Sequence, residues 1–524
     1  MSGILILEDE PIIARNICRV LRRDGHAVTH VASAREARLR LADTRFDLVL
    51  ADVNLGDGDG IEVLGAQASA LGDVPIIIMT GQDNIDNRLR AEGILVSAFL
   101  SKPFAMSRLS ELTSALLAET GKQAGLRRGP SVMMYSHDTI GLGHMRRNTA
   151  IAQELVARVP GVSVLMIVGC PAGMVFEPLP GIDYIKLPSL TKLGRGRWQA
   201  GSLRIDAATT RELRAGILER VIETFAPDVL LVDHEPAGVW DELVAPIRAV
   251  RARGQTRVML GLRDILDDPD RVTQSWTDSG VDAVISTLYD DVLIYGNANF
   301  YPSEAAYGLQ ALRPGRVRYC GAVTTVRPTA RLQWSGPPRR VLVSGGGGRD
   351  AYVLLDTTLA GLDALAPNRR PEVTLVAGPL MDAELSAALA RRAGQVGALF
   401  KQSVADLPAR LAASDLFVSM GGYNSVTEAL ATGCPAVVVP RVGPSGEQRI
   451  RAERLQALGL ATVIWRHDLT PARIAAALTA RPHPPNLSGL SFDGASVAAA
   501  HIAAVLDAQS ALPRSSRHEV PLHA

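Results

Sequence analysis

Cysteine is scarce and scattered. The 524 residues contain four, Cys18, Cys170, Cys320 and Cys434, with no C-x-x-C pair. That excludes a zinc finger and a disulfide framework and suits a reducing cytoplasm. An excess of one charge is also missing: 55 Lys and Arg stand against 54 Asp and Glu, so no general nucleic-acid binder is expected. No run of apolar residues is long enough for a membrane span, and the amino terminus enters a strand within three residues without a basic leader. Neither a transmembrane helix nor a signal peptide is therefore expected. What remains is an ordinary globular composition with room for about three domains at roughly 150 residues each.

In the first 120 residues four short apolar runs each stop at polar residues. Ile4–Leu7 precedes Glu8-Asp9, Leu48–Ala51 precedes Asp52, Pro75–Met79 precedes Thr80, and Ala98–Leu100 precedes Ser101-Lys102-Pro103. Parallel strands of a doubly wound sheet deliver such ends to one crevice. Carboxylates gathered there repel one another unless a divalent cation sits among them, and hard oxygen ligands suit Mg²⁺. A Lys and a Thr opposite would hold phosphoryl oxygens. Singly, an Asp at a strand end is more often a cap or turn former; the whole set in order, followed by Lys-Pro-Phe, is far more specific.

This pattern resembles the receiver domain of two-component response regulators over residues 1–120. The resemblance implies a flavodoxin-like fold with Asp52 as phospho-acceptor and Mg²⁺ held by Glu8, Asp9, Asp52 and the backbone carbonyl of Asn54. It further implies Thr80 and Lys102 on the phosphoryl group, Phe99 at the aromatic switch position, and a histidine kinase or phosphotransfer protein as partner. A dimer through the receiver is one further expectation. Glu8-Asp9 departs from the commoner Asp-Asp, which bears on metal affinity more than on the acceptor. No DNA-binding helix pair follows to supply a transcriptional output.

Residues 121–130, glycine-rich and without periodicity, read as a linker. A strand at Ser131–Tyr135 then meets S-H-D-T-I-G-L-G-H-M-R-R and a helix, opening a Rossmann-like domain over residues 131–324. Further strands are expected at Val162–Val168, Asp228–Val232, Arg257–Leu260 and Asp282–Ile285. Lys192–Ile205 reads as a long loop over a cleft. Asp233-His234-Glu235 follows its strand at the ligand-facing end, placed equally well to orient another group or to cap a helix; Arg263-Asp264 repeats that pattern more weakly. Residues 325–340 read as a hinge, 341–506 as a second Rossmann-like domain, and 507–524 as a disordered tail.

The second domain carries two glycine turns. Val341–Ser344 runs into Gly345-Gly346-Gly347-Gly348, and a strand ending at Met420 runs into Gly421-Gly422 before a helix holding Asn424, Ser425 and Glu428. Missing side chains let a ligand approach the backbone, and a helix amino terminus offers N–H groups to an anion such as a phosphate. Glu428 is placed for ribose hydroxyls, and Glu447-Gln448 for a second polyol. Separately, these acids read equally well as ordinary helix residues. Together they resemble the nucleotide-sugar half of GT-B glycosyltransferases, closest to family 28, over roughly 180 residues.

The resemblance implies that Gly421, Gly422, Asn424 and Ser425 hold the donor diphosphate region, Glu428 the ribose, and Glu447 with Gln448 the sugar; Gly345, Gly346 and Gly347, which alone read as a flexible loop as often as a phosphate cradle, are expected to join the donor site through their pairing with the second glycine turn. In the first domain it places Gly143 and His144 before the acceptor; Asp138, Asp233, His234 and Glu235 are acceptor-side candidates by their own position after strands. An imidazole titrating near neutrality can take a hydroxyl proton, which makes His144 the candidate general base and His137 and Asp138 second choices; capping or packing under the helix is the plainer role. The expected fold is thus α/β, a flavodoxin-like receiver followed by two Rossmann-like domains of a GT-B fold.

The expected activity is phosphorylation-regulated transfer of an N-acetylhexosamine from a UDP-sugar to a hydroxyl acceptor, saccharide or lipid-linked, in glycan or cell-envelope synthesis. The transfer itself would use no metal, and Mg²⁺ would belong to the receiver. A nucleotide-sugar 2-epimerase and a non-catalytic nucleotide-sugar sensor are the alternatives. The expected setting is cytoplasmic, with peripheral contact at the inner membrane face should the acceptor be lipid-linked.

Overall fold

The computed structural model describes residues 2–44, 46–67, 71, 74–81, 96–125, 129–136, 143–170, 179–194, 197–254, 256–328, 336–443 and 445–511. Two compact units divide the chain, Met1–Arg128 and Gly129–Ala524. His137, Asp138 and Gly141 lie outside the described residues, as does most of the expected tail. Among the described residues no helix is long and apolar enough to cross a membrane.

In the first unit β1 (Gly3–Leu7), β2 (Ala27–Val31), β3 (Leu48–Asp52), β4 (Ile76–Thr80) and β5 (Ala98–Ser101) form a parallel sheet of order β2-β1-β3-β4-β5, the flavodoxin-like order. Its central strands read as unbroken apolar runs because both faces are covered. In β1, Leu5 and Leu7 join one buried layer, while Ile4 and Ile6 face the other against the Pro11–Arg23 helix. The helix Met106–Gly125 continues into the stretch expected to be linker.

The second unit contains two parallel sheets. The first joins β6 (Ser131–Ser136), β7 (Ser163–Val168), β8 (Ile182–Lys186), β9 (Val229–Asp233), β10 (Arg257–Arg263), β11 (Asp291–Tyr295) and β12 (Val317–Tyr319) in the order β8-β7-β6-β9-β10-β11-β12. The second joins β13 (Arg340–Ser344), β14 (Glu372–Val376), β15 (Leu399–Lys401), β16 (Leu416–Ser419), β17 (Ala436–Val438) and β18 (Thr462–Val463) in the order β15-β14-β13-β16-β17-β18. Each sheet reverses its strand order beside its first strand, β6 or β13, and in such sheets the ligand crevice opens there, at the carboxyl ends. These are the two Rossmann-like domains of a GT-B fold.

Several expectations are corrected. Asp282–Ile285 is not a strand: it lies in the helix Val281–Leu288, where Ile285 and Leu288, three apart, turn one face inward. The strand is the next apolar run, β11, buried along its whole length. Residues 192–205 are not one open loop, because Leu190–Gly194 and Arg197–Ala200 pair as an antiparallel hairpin. Arg263 ends β10 rather than following it.

The last helix, Gly494–Ala511, overruns the expected domain end and leaves the second sheet altogether. Its Ala495, Ala498, Ala499, Ile502 and Leu506 pack into the core of the first domain with Met145, Ile151, Ala152 and Leu155. The i, i+3, i+4, i+7 spacing makes one continuous apolar face. The chain therefore crosses between the two domains twice.

Candidate functional site

In the first unit Glu8 is fully buried, Asp52 nearly so and Asp9 half-buried. Each offers an oxygen within 4.8 Å of the others. Lys102 Nζ donates to Glu8 Oε2 at 2.6 Å and to Asp52 Oδ2 at 2.8 Å. Burial raises the Glu8 pKa although Lys102 opposes it. Three carboxylates against one ammonium leave an excess of negative charge on hard oxygens, and this fits Mg²⁺. Thr80 is buried at the end of β4, where its carbonyl accepts from the Lys102 N–H at 2.6 Å. Phe99 is half-buried in β5, and the Asn54 N–H lies 3.5 Å from Asp52 Oδ1.

In the second unit, parallel pairing sets Ser136 beside Asp233 and Ser344 beside Ser419. Register alone therefore brings the carboxyl end of β6 to that of β9, and the Gly345 turn to the Gly421 turn. Asp233 is fully buried. Its Oδ2 lies 2.8 Å from His144 Nδ1, Arg147 Nη2 donates to both oxygens at 2.7 and 2.8 Å, and Asn148 Nδ2 is 3.4 Å away. Burial would raise the Asp233 pKa, but Arg147 and His144 outweigh it and hold the carboxyl well below its usual range. Arg147 Nη2 also lies 2.8 Å from His144 Nδ1. Arg147 can only donate and already has the carboxylate, so Nδ1–H pointing to Asp233 is the consistent tautomer. That leaves Nε2 as the basic nitrogen.

His234 holds a left-handed backbone, φ 76°, and its ring lies 5.2 Å from that of His144, tilted by 45°. Glu235 is half-buried in the following turn, its N–H donating to the Asp233 carbonyl at 3.0 Å. Gly143 starts the His144 helix, Gly143–Arg158, and a Cβ placed on it would lie 3.1 Å from Asn424 Nδ2. The amino ends of the His144 helix and of the Tyr423–Ala431 helix thus meet across the cleft.

On the second domain's side, Gly422 stands at the N-cap of the Tyr423–Ala431 helix and gives its first N–H groups no side-chain hydrogen bond. Asn424 and Ser425 are half-buried in the first turn. Glu428 is buried; its Oε1 accepts from Arg146 Nη1 at 3.2 Å, and burial raises its pKa despite that cation. Gln448 Oε1 accepts from the Arg441 N–H at 3.2 Å.

Glu447, expected beside the sugar, sits in a buried ion network. Its Oε1 accepts from Arg263 Nη1 and from Arg451 Nη1, both at 2.8 Å, while Arg451 Nη2 reaches Asp264 Oδ1 at 3.0 Å. Burial opposes ionisation, yet the arginines hold its pKa down at about 2. The Arg451 and Arg147 guanidiniums lie over the Tyr423 ring at 5.5 and 5.8 Å, and the Tyr423 hydroxyl donates to the Tyr295 carbonyl at 2.8 Å. One buried polar chain therefore runs from His144 through Asp233, Arg147, Tyr423 and Arg451 to Glu447, tying the two domains together.

Sequence reasoning missed Arg146, Arg147, Tyr423 and Arg451. A signal existed for the first two: adjacent cations in a helix's opening turn oppose its dipole, which asks for nearby acids.

Comparison with known proteins matches residues 4–114 to the response regulator receiver domain and residues 341–487 to the glycosyltransferase family 28 C-terminal domain. The chain joins a receiver to a family 28 domain. Its receiver is 36% identical over 123 residues to the swarming motility regulation protein RssB of Serratia marcescens, covering 24% of this chain and 55% of that protein. Another relative is the UDP-N-acetylglucosamine--N-acetylmuramyl-(pentapeptide) pyrophosphoryl-undecaprenol N-acetylglucosamine transferase of Methylobacterium radiotolerans. It is 43% identical over 100 residues, 19% of this chain and 27% of that one. The chain thus spans about half, or less, of these relatives' length. Medicago truncatula UGT71G1, solved with UDP-glucose, aligns over 74% of this chain and 100% of its own at 13% identity and a TM-score of 0.49.

Proposed function

We propose that the protein is a glycosyltransferase that moves a sugar from a nucleoside diphosphate, a UDP-N-acetylhexosamine, to a hydroxyl acceptor in glycan or cell-envelope synthesis, under the control of phosphorylation at Asp52. The observation that carries the reading is the meeting of two half-sites: the helix that begins at Gly143 and carries His144, oriented by buried Asp233, meets at its amino end the helix that carries Asn424 and Glu428.

Each half-site has one task. The acceptor hydroxyl attacks the anomeric carbon while its proton passes to His144 Nε2, and Asp233 stabilises the imidazolium that forms. The bond from the anomeric carbon to the diphosphate oxygen breaks as the new one forms. Negative charge gathering on the departing diphosphate meets the N–H groups at the start of the Tyr423–Ala431 helix. Glu428 accepts from the ribose diol, and Gln448 lies beside the sugar. In the receiver, Glu8, Asp9 and Asp52 would hold Mg²⁺, which would offset phosphoryl charge while a histidine kinase or phosphotransfer protein delivers the group.

A 2-epimerase would need free carboxylates around the sugar. Asp233 is committed to His144 and Arg147, which favours transfer. The test is donor turnover by the full chain and by His144→Ala with a panel of nucleotide sugars. Turnover should fall by about 10²- to 10⁴-fold while the donor-induced rise in melting temperature persists. Unchanged turnover removes His144 as the base; donor binding without turnover in the native chain makes the protein a sensor.

A further inference from the structure

Arg146 and Arg147 are neighbours with different attachments. Arg147 is paired inside its own domain with Asp233. Arg146, its side chain 39% exposed, crosses the cleft to Glu428 Oε1. Glu428 is 7% exposed, and its second oxygen, Oε2, has no hydrogen-bond partner among the described residues. A cavity of about 220 Å³ lies at this junction, lined by Arg146, Gln153, Thr324, Thr325, Asn424 and Glu428. A buried carboxylate oxygen left unpartnered is costly unless a ligand completes it. Asn424 and Glu428 are four apart on one helix and share a face, so the cavity runs from the carboxylate toward the uncapped amino terminus.

We propose that Arg146 is a cross-domain donor switch: it pairs with one oxygen of the Glu428 carboxylate, and when a nucleoside diphosphate enters it moves to the diphosphate. The inference rests on the donor reading above and adds to it which residue of the opposite domain senses the donor. A ribose diol needs the Glu428 oxygens as acceptors and carries no charge to offer the displaced guanidinium. A diphosphate offers two negative groups suited to a planar, forked donor. Glu428 lies five residues beyond the start of the helix, about 7.5 Å along its axis at 1.5 Å per residue, within the swing of an arginine side chain. A bare nucleoside must therefore compete with Arg146, whereas a nucleoside diphosphate recruits it. Discrimination between the two becomes a property of this residue.

The experiment is calorimetric titration of the full chain, Arg146→Gln and Arg146→Lys with uridine and UDP, repeated with guanosine and GDP, and adenosine and ADP. In Arg146→Gln the nucleoside should bind more tightly and the diphosphate more weakly, so that the ratio of their dissociation constants shrinks by about tenfold or more. Arg146→Lys should recover part of the diphosphate affinity, and an unchanged melting temperature shows that the variants fold. A ratio equal to that of the native chain overturns the switch while leaving the donor reading intact. Failure of the native chain to bind any of the six overturns both.

Discussion

Asp233 accepts hydrogen bonds from His144, Arg147 and Asn148 where no water reaches it, and a carboxylate so held fixes an imidazole's tautomer without strain. Glu447 shows the same chemistry put to another use. Two arginines from opposite sides of the cleft share its Oε1, so it acts first as a strut between domains. Glu447→Gln should cost about 3–5 kcal/mol at neutral pH, the usual result of leaving buried charge unpaired. The sign with pH follows from the lowered pKa. The carboxyl titrates at about 2 in the fold against 4.5 as its reference, so its contribution is complete above 4.5 and lost as pH falls toward about 2. Urea unfolding across that range should show the gap between native chain and variant closing; a constant gap would contradict the strut.

At the scale of elements, two glycine turns set how closely backbone can approach backbone. Gly421 has φ +80°, and a Cβ there would meet Val438 Cγ1 at 2.8 Å; a Cβ on Gly345 would lie 2.7 Å from the Ala377 carbonyl oxygen. Gly422, by contrast, has extended backbone and open space around it. Gly421→Ala should therefore destabilise by about 1–3 kcal/mol, and Gly422→Ala by less than about 1 kcal/mol, both measured by denaturant midpoint. Equal costs would mean that the elbow is not under steric control. These turns were legible in the sequence because two glycine turns follow two apolar strands of one sheet, a pairing more specific than either run alone. The helix Val281–Leu288 was not, since a short apolar run suits strand and helix alike and only the neighbouring β11 decides between them.

For the whole molecule, the receiver residues predict a covalent output. Incubation with acetyl phosphate and Mg²⁺ should label the full chain with one phosphoryl group, read by intact-mass spectrometry. Asp52→Asn, or removal of the cation by chelation, should reduce the label to background. Labelling that persists in Asp52→Asn would place the acceptor elsewhere.

Much of this was determined by sequence: the strand-end acids, the order of the glycine turns and the residues around them follow from local spacing and the periodicity of buried strands. Three features were decided only by tertiary structure. The last helix returns to the first domain, Glu447 is drawn into an interdomain ion network, and Arg146 reaches across the cleft to Glu428. Each joins residues more than 180 positions apart. The energy of such contacts depends on burial and on the charge brought opposite, and neither is encoded in any local stretch of chain.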